Sequence, residues 1–471
     1  MVITDVKRDK GSRRIAAKNS ARGVIGKNVA VLIAGFAALQ TVLFLLLVAG
    51  QAVPDKPIVD NLVKAIDSGT YGPSGLPDRM GGVSDTFTEC VVVGTGLGDG
   101  SPDDSPWQQA GYMPRISNCE KGVGDLRALA AGDTASQGQY YKYWAGYTAI
   151  TRPALAMVGL EGLRILSGAM LVSSLIVALI AVAGRLNWWA ATALLGPLLL
   201  ASNVFSTPST SFSQAISISF IFLSTALAAF GAGRSTTRLI AFTGLGAALF
   251  CYVDLLTTPA IPWALASVVA AAVTFGHARN FKQGVLAGVI AAVVWPLAFA
   301  LTWASRWAIA AMFLGFDKVV EHVAGNVEFR TGGDFGHVSD TFGASTLRNA
   351  NYWWDRIPTS HIVLILVAAA AVIAIILSVR RNGVSSILMG AVLAAPLLVI
   401  PIWYEVLRNH SQIHDFFAYR GIPVGFGIGL FALVVAASIQ MKRVEVATVR
   451  PHEPEKLVAN TKERGDDELH R

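Results

Sequence analysis

The chain has 471 residues, of which 53% are hydrophobic and only 15% charged, and its mean hydropathy is +0.51. Soluble domains carry about 25% charged residues, so these values exclude a soluble globular protein and imply an integral membrane protein. The net charge of +7 does not indicate nucleic-acid binding, because most Lys and Arg residues sit in short tracts beside apolar segments, where they set orientation.

A basic tail over 1–27 carries Lys7, Arg8, Lys10, Arg13, Arg14, Lys18, Arg22 and Lys27. The first apolar run, 28–51, is long enough to span a bilayer, and no small-residue cleavage motif follows it, so it reads as a retained helix rather than a signal peptide. A long connector, 52–160, comes next. Its first stretch, 55–67, sets Ile58, Val59, Leu62, Val63 and Ile66 on one helical face, as expected for a helix lying along a membrane surface. "PDRMGGVSDTFTEC" then supplies Asp78, Arg79, Asp85 and Glu89. On a helix, Asp85 and Glu89 share a face and would repel, so they call for a partner cation, a divalent metal or a raised pKa; a solvated acidic helix end is the simpler alternative. Cys90 and Cys119 fall in the same polar connector, and if that connector is extracytoplasmic they are expected to pair as a disulfide. Residues 98–107 read as turns. "YYKYWAGYTAITRP" (140–153), with Tyr143, Trp144 and Arg152, is an aromatic cluster at the depth of an interfacial belt.

Further spanning segments are expected near 162–184, 187–205, 212–232, 239–257, 260–276, 284–304, 361–379, 384–403 and 421–440, about ten in all. Every second connector is basic: Arg185; Arg234 and Arg238; Arg279 and Lys282; Arg380 and Arg381; Lys442 and Arg443. The positive-inside rule then places both termini in the cytoplasm and the connectors 52–160, 305–360 and 403–420 outside. The predicted fold is therefore an all-α integral membrane domain over 28–440, with surface-lying helices in its long first extracytoplasmic loop. The polar tail, 441–471, is expected to be cytoplasmic and disordered.

The outer connectors hold nearly all the reactive chemistry. Asp254 ends an apolar helix in "FCYVDLLTTP"; a carboxylate at that depth suggests function, with a plain helix end in water as the alternative. "WYEVLRNHSQIHDFFAYR" (403–420) adds Arg408, Asn409, His410, His414 and Arg420. His410 and His414 are four apart, a spacing that can hold a metal, but HExxH is absent, so a zinc protease is poorly supported. Contacts of these histidines to a phosphate or a sugar hydroxyl, with Arg408 and Arg420 near the phosphate, suit the residues better; an ordinary interfacial loop is the competing reading. A transferase acting outside the membrane has no nucleotide-sugar supply and needs a lipid-delivered donor such as a polyprenyl-phosphate sugar. That donor demands cations for its phosphate, a carboxylate base for the acceptor hydroxyl and a groove for the prenyl chain.

The stretches at 78–89, 140–153, 252–259, 302–307 and 407–420, taken in order, make the chain resemble the GT-C superfamily of polytopic glycosyltransferases, and more narrowly a group of bacterial polytopic membrane proteins. The resemblance implies a bacterial cytoplasmic-membrane enzyme with an extracytoplasmic site. An acidic residue of the first long loop would then act in catalysis, and Asp85 matches that position best, with Glu89 second. The first loop lacks the tight Asp-Asp or Glu-Asp pair of some members, and no large C-terminal carbohydrate-binding domain is present, so the choice of base and any divalent metal stay open. On this reading Arg152, Arg408 and Arg420 hold the donor phosphate, and Arg79, Tyr143, Trp144, Asp254, Asn409, His410 and His414 contact donor or acceptor. The partners are a polyprenyl-phosphate sugar, with arabinofuranose one candidate, an envelope glycan, lipid or protein acceptor, and membrane lipids, with no nucleic acid. The rival readings are a transporter or flippase for a lipid-linked or anionic solute, and a non-enzymatic scaffold. Spans nearly free of ionisable residues at their midpoints weigh against transport.

Overall fold

A computed structural model describes residues 5–71, 85–98, 104–117, 119–135, 138–332 and 338–439. Arg79 and the tail 441–471 lie outside these residues. In chain order the helices are α1 (Asp5–Gln51), α2 (Asp55–Asp67), α3 (Thr86–Gly94), α4 (Pro106–Tyr112), α5 (Cys119–Ala131), α6 (Thr148–Arg185), α7 (Trp188–Leu200), α8 (Thr207–Thr210), α9 (Phe212–Gly231) and α10 (Thr236–Val253). They continue as α11 (Ala260–Ala278), α12 (Phe281–Leu314), α13 (Phe316–Thr331), α14 (Ala344–Arg356), α15 (Ser360–Asn382), α16 (Ser385–Ala394), α17 (Val399–Val406), α18 (Arg408–Ile413), α19 (Asp415–Ala418) and α20 (Gly421–Ser438). The strand content of the described residues is one two-residue pair, β1 (Pro114–Arg115) with β2 (Gly138–Gln139). Nine helices among the described residues are long and apolar enough to cross a membrane, or ten if a bent pair counts as one span. The chain is an all-α, multi-pass membrane protein.

That bent pair, α7 with the short helical turns at 204–210, turns through 64° where one straight span over 187–205 was expected. The break releases backbone groups that need partners at membrane depth, and other elements supply them. Trp353 Nε1 donates to the Ala201 carbonyl at 2.9 Å, Thr359 Oγ1 to that of Leu200 at 2.6 Å, and Asn203 N donates to the Tyr419 hydroxyl at 3.1 Å.

The second span is longer than expected because α6 continues through a kink at Gly159, where φ is +68°, a conformation natural to glycine. Asn61 of α2 satisfies the carbonyls freed there, donating to Leu155 at 2.9 Å and Ala156 at 3.2 Å. The apolar face expected on 55–67 exists: Ile58, Val59, Leu62 and Ala65 of α2 are buried, and α2 packs against α5 and α6. α12 likewise outruns its expected end. Arg306, two residues past the expected end at 304, lies buried within α12 and donates to the carbonyls of Tyr143 at 3.1 Å and Ala110 at 3.0 Å.

Arg152 locks α6 to the first connector. It is 2% exposed and donates to the carbonyls of Gly50 at 2.9 Å, Val53 at 2.5 Å and Gly96, and to Asp55 at 2.6 Å. Arg185, at the end of α6, donates to Ala232 O, and Asn382 at the end of α15 donates to Ala436 and Ile439. The basic ends of α6, α11 and α15 thus gather at the end of the bundle away from Arg152. Replacing Arg152 by Met would strand the buried Gly50 and Gly96 carbonyls, at about 1–3 kcal/mol each when unpaired, and would also release the part-buried Val53 carbonyl and the solvent-accessible Asp55. The variant should unfold at markedly lower temperature in detergent; an unchanged midpoint would mean the clamp contributes nothing.

Candidate functional site

A cavity of about 300 Å³ opens where α3, β1, the 140–143 segment, the turn after α10, the end of α13 and α18–α19 converge. Three of its wall residues are cations: Arg115, Lys142 and Arg330. Aromatic rings carry them. The Arg115 guanidinium lies 4.9 Å from the Tyr140 ring centroid, the Lys142 ammonium 5.3 Å from Tyr140 and 5.5 Å from Tyr143, and the Arg330 guanidinium 5.5 Å from Tyr143. Such contacts are worth about 2 kcal/mol when desolvated.

Local structure aims each one. Arg115 sits on β1 opposite Gly138. The Lys142 carbonyl accepts from Trp303 Nε1 at 2.6 Å and Trp307 Nε1 at 3.3 Å, fixing the backbone that bears the ammonium. Asn409 donates to the carbonyls of Phe329 at 2.8 Å and Gly332 at 3.3 Å, so it pins the end of α13 that carries Arg330. Among the described residues no carboxylate lines the cavity. Burial, then Arg330 and Arg115, push the Lys142 ammonium down to about 8.

Both histidines reach the cavity, their rings 4.8 Å apart. His410 Nε2 lies 2.7 Å from the Leu256 carbonyl and Nδ1 2.8 Å from Arg330 Nη1. A carbonyl only accepts and a guanidinium only donates, so the proton is on Nε2 and His410 is neutral. Burial, then His414 and Arg330, hold its pKa well below the usual histidine value. His414 stacks on Phe417 at 5.1 Å, and its buried Nδ1 makes no hydrogen bond. Burial followed by Arg330 and Lys142 pushes it down to about 4.

The carboxylates stand one layer behind the wall, each behind a wall threonine. Asp85 caps α3, accepting from Thr88 N at 3.0 Å, with the Thr88 side chain beside it favouring its ionised form. Asp254 accepts from Thr257 N at 2.8 Å and from the Thr257 hydroxyl at 2.5 Å. Thr88 and Thr257 both line the cavity, so the same Asp-x-x-Thr turn occurs twice, as "DTFT" and "DLLT". Asp85 also accepts from Gln214 Nε2 at 2.8 Å; Gln214 Oε1 accepts from Arg420 Nη1 at 2.7 Å, and Arg420 Nε donates to Asn203 at 2.9 Å. Burial outweighs these donors and pushes the Asp85 carboxyl up to about 6.

Several expected site residues have other work. Asp85 precedes α3 as its cap rather than lying on it, so the four-residue spacing does not stack Asp85 and Glu89 together. Glu89 pairs with Arg164 at 2.7 Å and accepts from Phe212 N at 3.1 Å. Of the three arginines assigned to a phosphate, Arg152 is the backbone clamp, Arg420 is buried in the Asp85 network, and Arg408 pairs with Asp340 at 3.2 Å on the outside. Tyr143 lines the cavity, whereas the Trp144 indole donates to Thr302 O at 2.5 Å. Asn409 acts on the cavity only through α13. Arg115, Lys142, Arg330, Thr88 and Thr257 were not singled out from the sequence; the repeated Asp-x-x-Thr spacing was the available signal for the two threonines.

Cys90 and Cys119 are free thiols in the structure, not the expected disulfide. They are in hydrogen-bonding contact, and burial followed by that contact pushes the Cys90 thiol up to about 12. Among the described residues no three His, Cys, Asp or Glu side chains converge as metal ligands. Comparison with protein-family models, curated proteins and solved structures finds no match to this chain.

Proposed function

We propose that the chain is a membrane glycosyltransferase that moves a sugar from a polyprenyl phosphate to an acceptor hydroxyl on the extracytoplasmic face. The observation that carries this reading is the cavity itself. Three cations and, among the described residues, no carboxylate line it, His414 keeps a ring nitrogen without a partner while His410 is neutral and fully engaged, and two threonines next to aspartates face the same space. Such a wall suits an anionic group joined to a polyol. The gathering of basic helix ends at the opposite end of the bundle supports an extracytoplasmic cavity and cytoplasmic termini.

Arg115, Lys142 and Arg330 take the place assigned from sequence to Arg152, Arg408 and Arg420. The acceptor oxygen attacks the anomeric carbon as the bond from that carbon to the phosphate oxygen breaks. The electron pair leaves on the phosphate, whose charge falls on the three cations. The acceptor proton passes to Thr88 Oγ1 as the Thr88 proton passes to Asp85. Thr257, held by Asp254, and His414 Nδ1 bind sugar hydroxyls. Glu89, already paired with Arg164, is not the base.

Proteoliposomes with a polyprenyl-phosphate sugar and an acceptor glycan test this. Asp85→Asn should lower kcat at least 100-fold, the low end for a positioned base. Thr88→Val should do much the same, while Thr88→Ser restores turnover. Full transfer by Asp85→Asn refutes the assignment of the base, and donor flipping without acceptor favours the transporter.

Arg330→Gln and Lys142→Met should raise the KM for the donor by about 10-fold each, as expected when a charge-assisted contact of about 1.5–3 kcal/mol is lost. Unchanged KM in both would remove the phosphate from this wall. The pH profile follows from Asp85. The base works when ionised, and its pKa is raised, so turnover should be full near pH 7.5 and fall tenfold per unit as pH drops below about 6. A profile flat to pH 5 would exclude Asp85 as the base.

A further inference from the structure

A second cavity, of about 390 Å³, lies at the other end of the bundle and plays no part in the proposed reaction. The 19 residues of α11 separate the two, about 28 Å at 1.5 Å per residue. Its rim is polar, with Arg234, Ser235, His277 and Gln283, and its floor is apolar, with Leu239 and Ile290. Arg185 stands at the rim as well: its Nη2 donates to Ala232 O at 2.6 Å and would lie 3.1 Å from a Cβ placed on Gly233, which lines the cavity. The Nε of Arg185 is buried without a hydrogen-bond partner, and its charge interacts with that of Arg234.

Among the described residues that line this cavity, no carboxylate answers the positive charge. Between Glu161 and Asp254, and between Asp254 and Asp317, the chain contains no Asp or Glu. The helices that build the cavity therefore contribute no carboxylate at this end. The helix starts nearby are already capped, Arg238 N by Ser235 Oγ at 3.3 Å and Gln283 N by Asn280 Oδ1 at 3.3 Å, so the unbalanced charge belongs to side chains. Two neighbouring guanidinium groups, one with a buried orphan donor, call for an anion between them.

The surroundings indicate which anion. Leu286 lines the cavity and is 59% exposed, and Val289, Val293, Leu297 and Leu301 continue as exposed residues down the same side of α12 at steps of three and four. An apolar lane thus runs from the cationic rim along the bundle. A free phosphate would answer the charge and leave the lane unused; a phospholipid uses both. We infer that this cavity is a binding site for an anionic phospholipid, its headgroup phosphate between Arg185 and Arg234 and its acyl chains along α12.

Titrating the full-length protein in detergent with phosphatidylglycerol, followed by native mass spectrometry and thermal unfolding, tests the site. Saturable binding of one lipid with a rise in the unfolding midpoint is expected, with little effect from phosphatidylcholine or inorganic phosphate. Arg234→Gln should weaken binding about fivefold, as expected for one basic residue at an anionic membrane surface. Arg380→Gln, at the same end but outside the cavity, should leave binding intact. Equal weakening by both variants, the same midpoint rise from inorganic phosphate alone, or no response to phosphatidylglycerol would overturn the inference.

Discussion

The polar chain that begins at Asp85 and ends at Asn203 is the constraint on which the architecture depends. Asp85 carries a carboxylate into the interior of a membrane bundle, where an unpaired ion is strongly penalised. Gln214 accepts that demand with its amide and passes it, through its own carbonyl, to Arg420; Arg420 in turn holds Asn203, which also accepts from Tyr419 at 2.8 Å. One connected set of donors therefore joins α3, α9, the start of α20 and the bent segment after α7. Because each member is satisfied by the next, shifting any one of these elements would strand a buried polar group. The 64° bend belongs to the same set, since it sets Asn203 where Arg420 and Tyr419 can reach it.

The cavity wall follows a different electrostatic rule. Its cations lie against aromatic rings, and Arg330 also against a neutral histidine. His410 is a case of a side chain whose state is dictated by its neighbours: with Leu256 O on one nitrogen and Arg330 on the other, protonation would place a second cation against Arg330. The wall therefore keeps its positive potential undivided, and focusing in a low-dielectric recess strengthens it. Lys142 loses part of its hold on its own proton first to burial and then to the charges of Arg330 and Arg115. An anion entering the recess would relieve that repulsion.

Much of the architecture was legible from apolar run length and charge alternation, because a bilayer imposes both on any spanning helix. The buried face of α2 was legible for a similar reason, its period being local. The site was only partly legible. Asp85, Asp254, Tyr143, His410 and His414, all noted in the sequence, lie in or just behind one cavity wall, since polar residues at the ends of spans are few. The arginines are less legible, because a guanidinium can serve a phosphate or a set of carbonyls equally well, and only the fold shows that Gly50, Val53 and Gly96 converge on Arg152. Arg115 and Arg330 lie in connectors with no local pattern. They reach the cavity through a two-residue strand pairing and the docking of α13 on α18, contacts between segments far apart in sequence. The span ends were misjudged where tertiary partners rescued a break: Asn61 at the kink of α6, and the Tyr143 and Ala110 carbonyls at Arg306.

Why the two aspartates stand behind threonines follows from the same electrostatics. A carboxylate about 4 Å from one of the wall cations would be attracted by about 4 kcal/mol at an effective dielectric constant of about 20, and doubling the distance halves that. Placed in the wall, Asp85 and Asp254 would pair with Arg115, Lys142 or Arg330 and compete with any anionic ligand for them. A hydroxyl interposed between carboxylate and cavity changes the balance. The Thr257 hydroxyl donates to Asp254, Thr88 donates to Asp85 through its backbone N, and both threonines line the cavity, so the negative charge stays a layer away from it. On the proposed function, separating the carboxylates from the cations in this way would let one recess hold an anion and also take up a proton, two demands that a carboxylate in direct contact with the cations could not meet together.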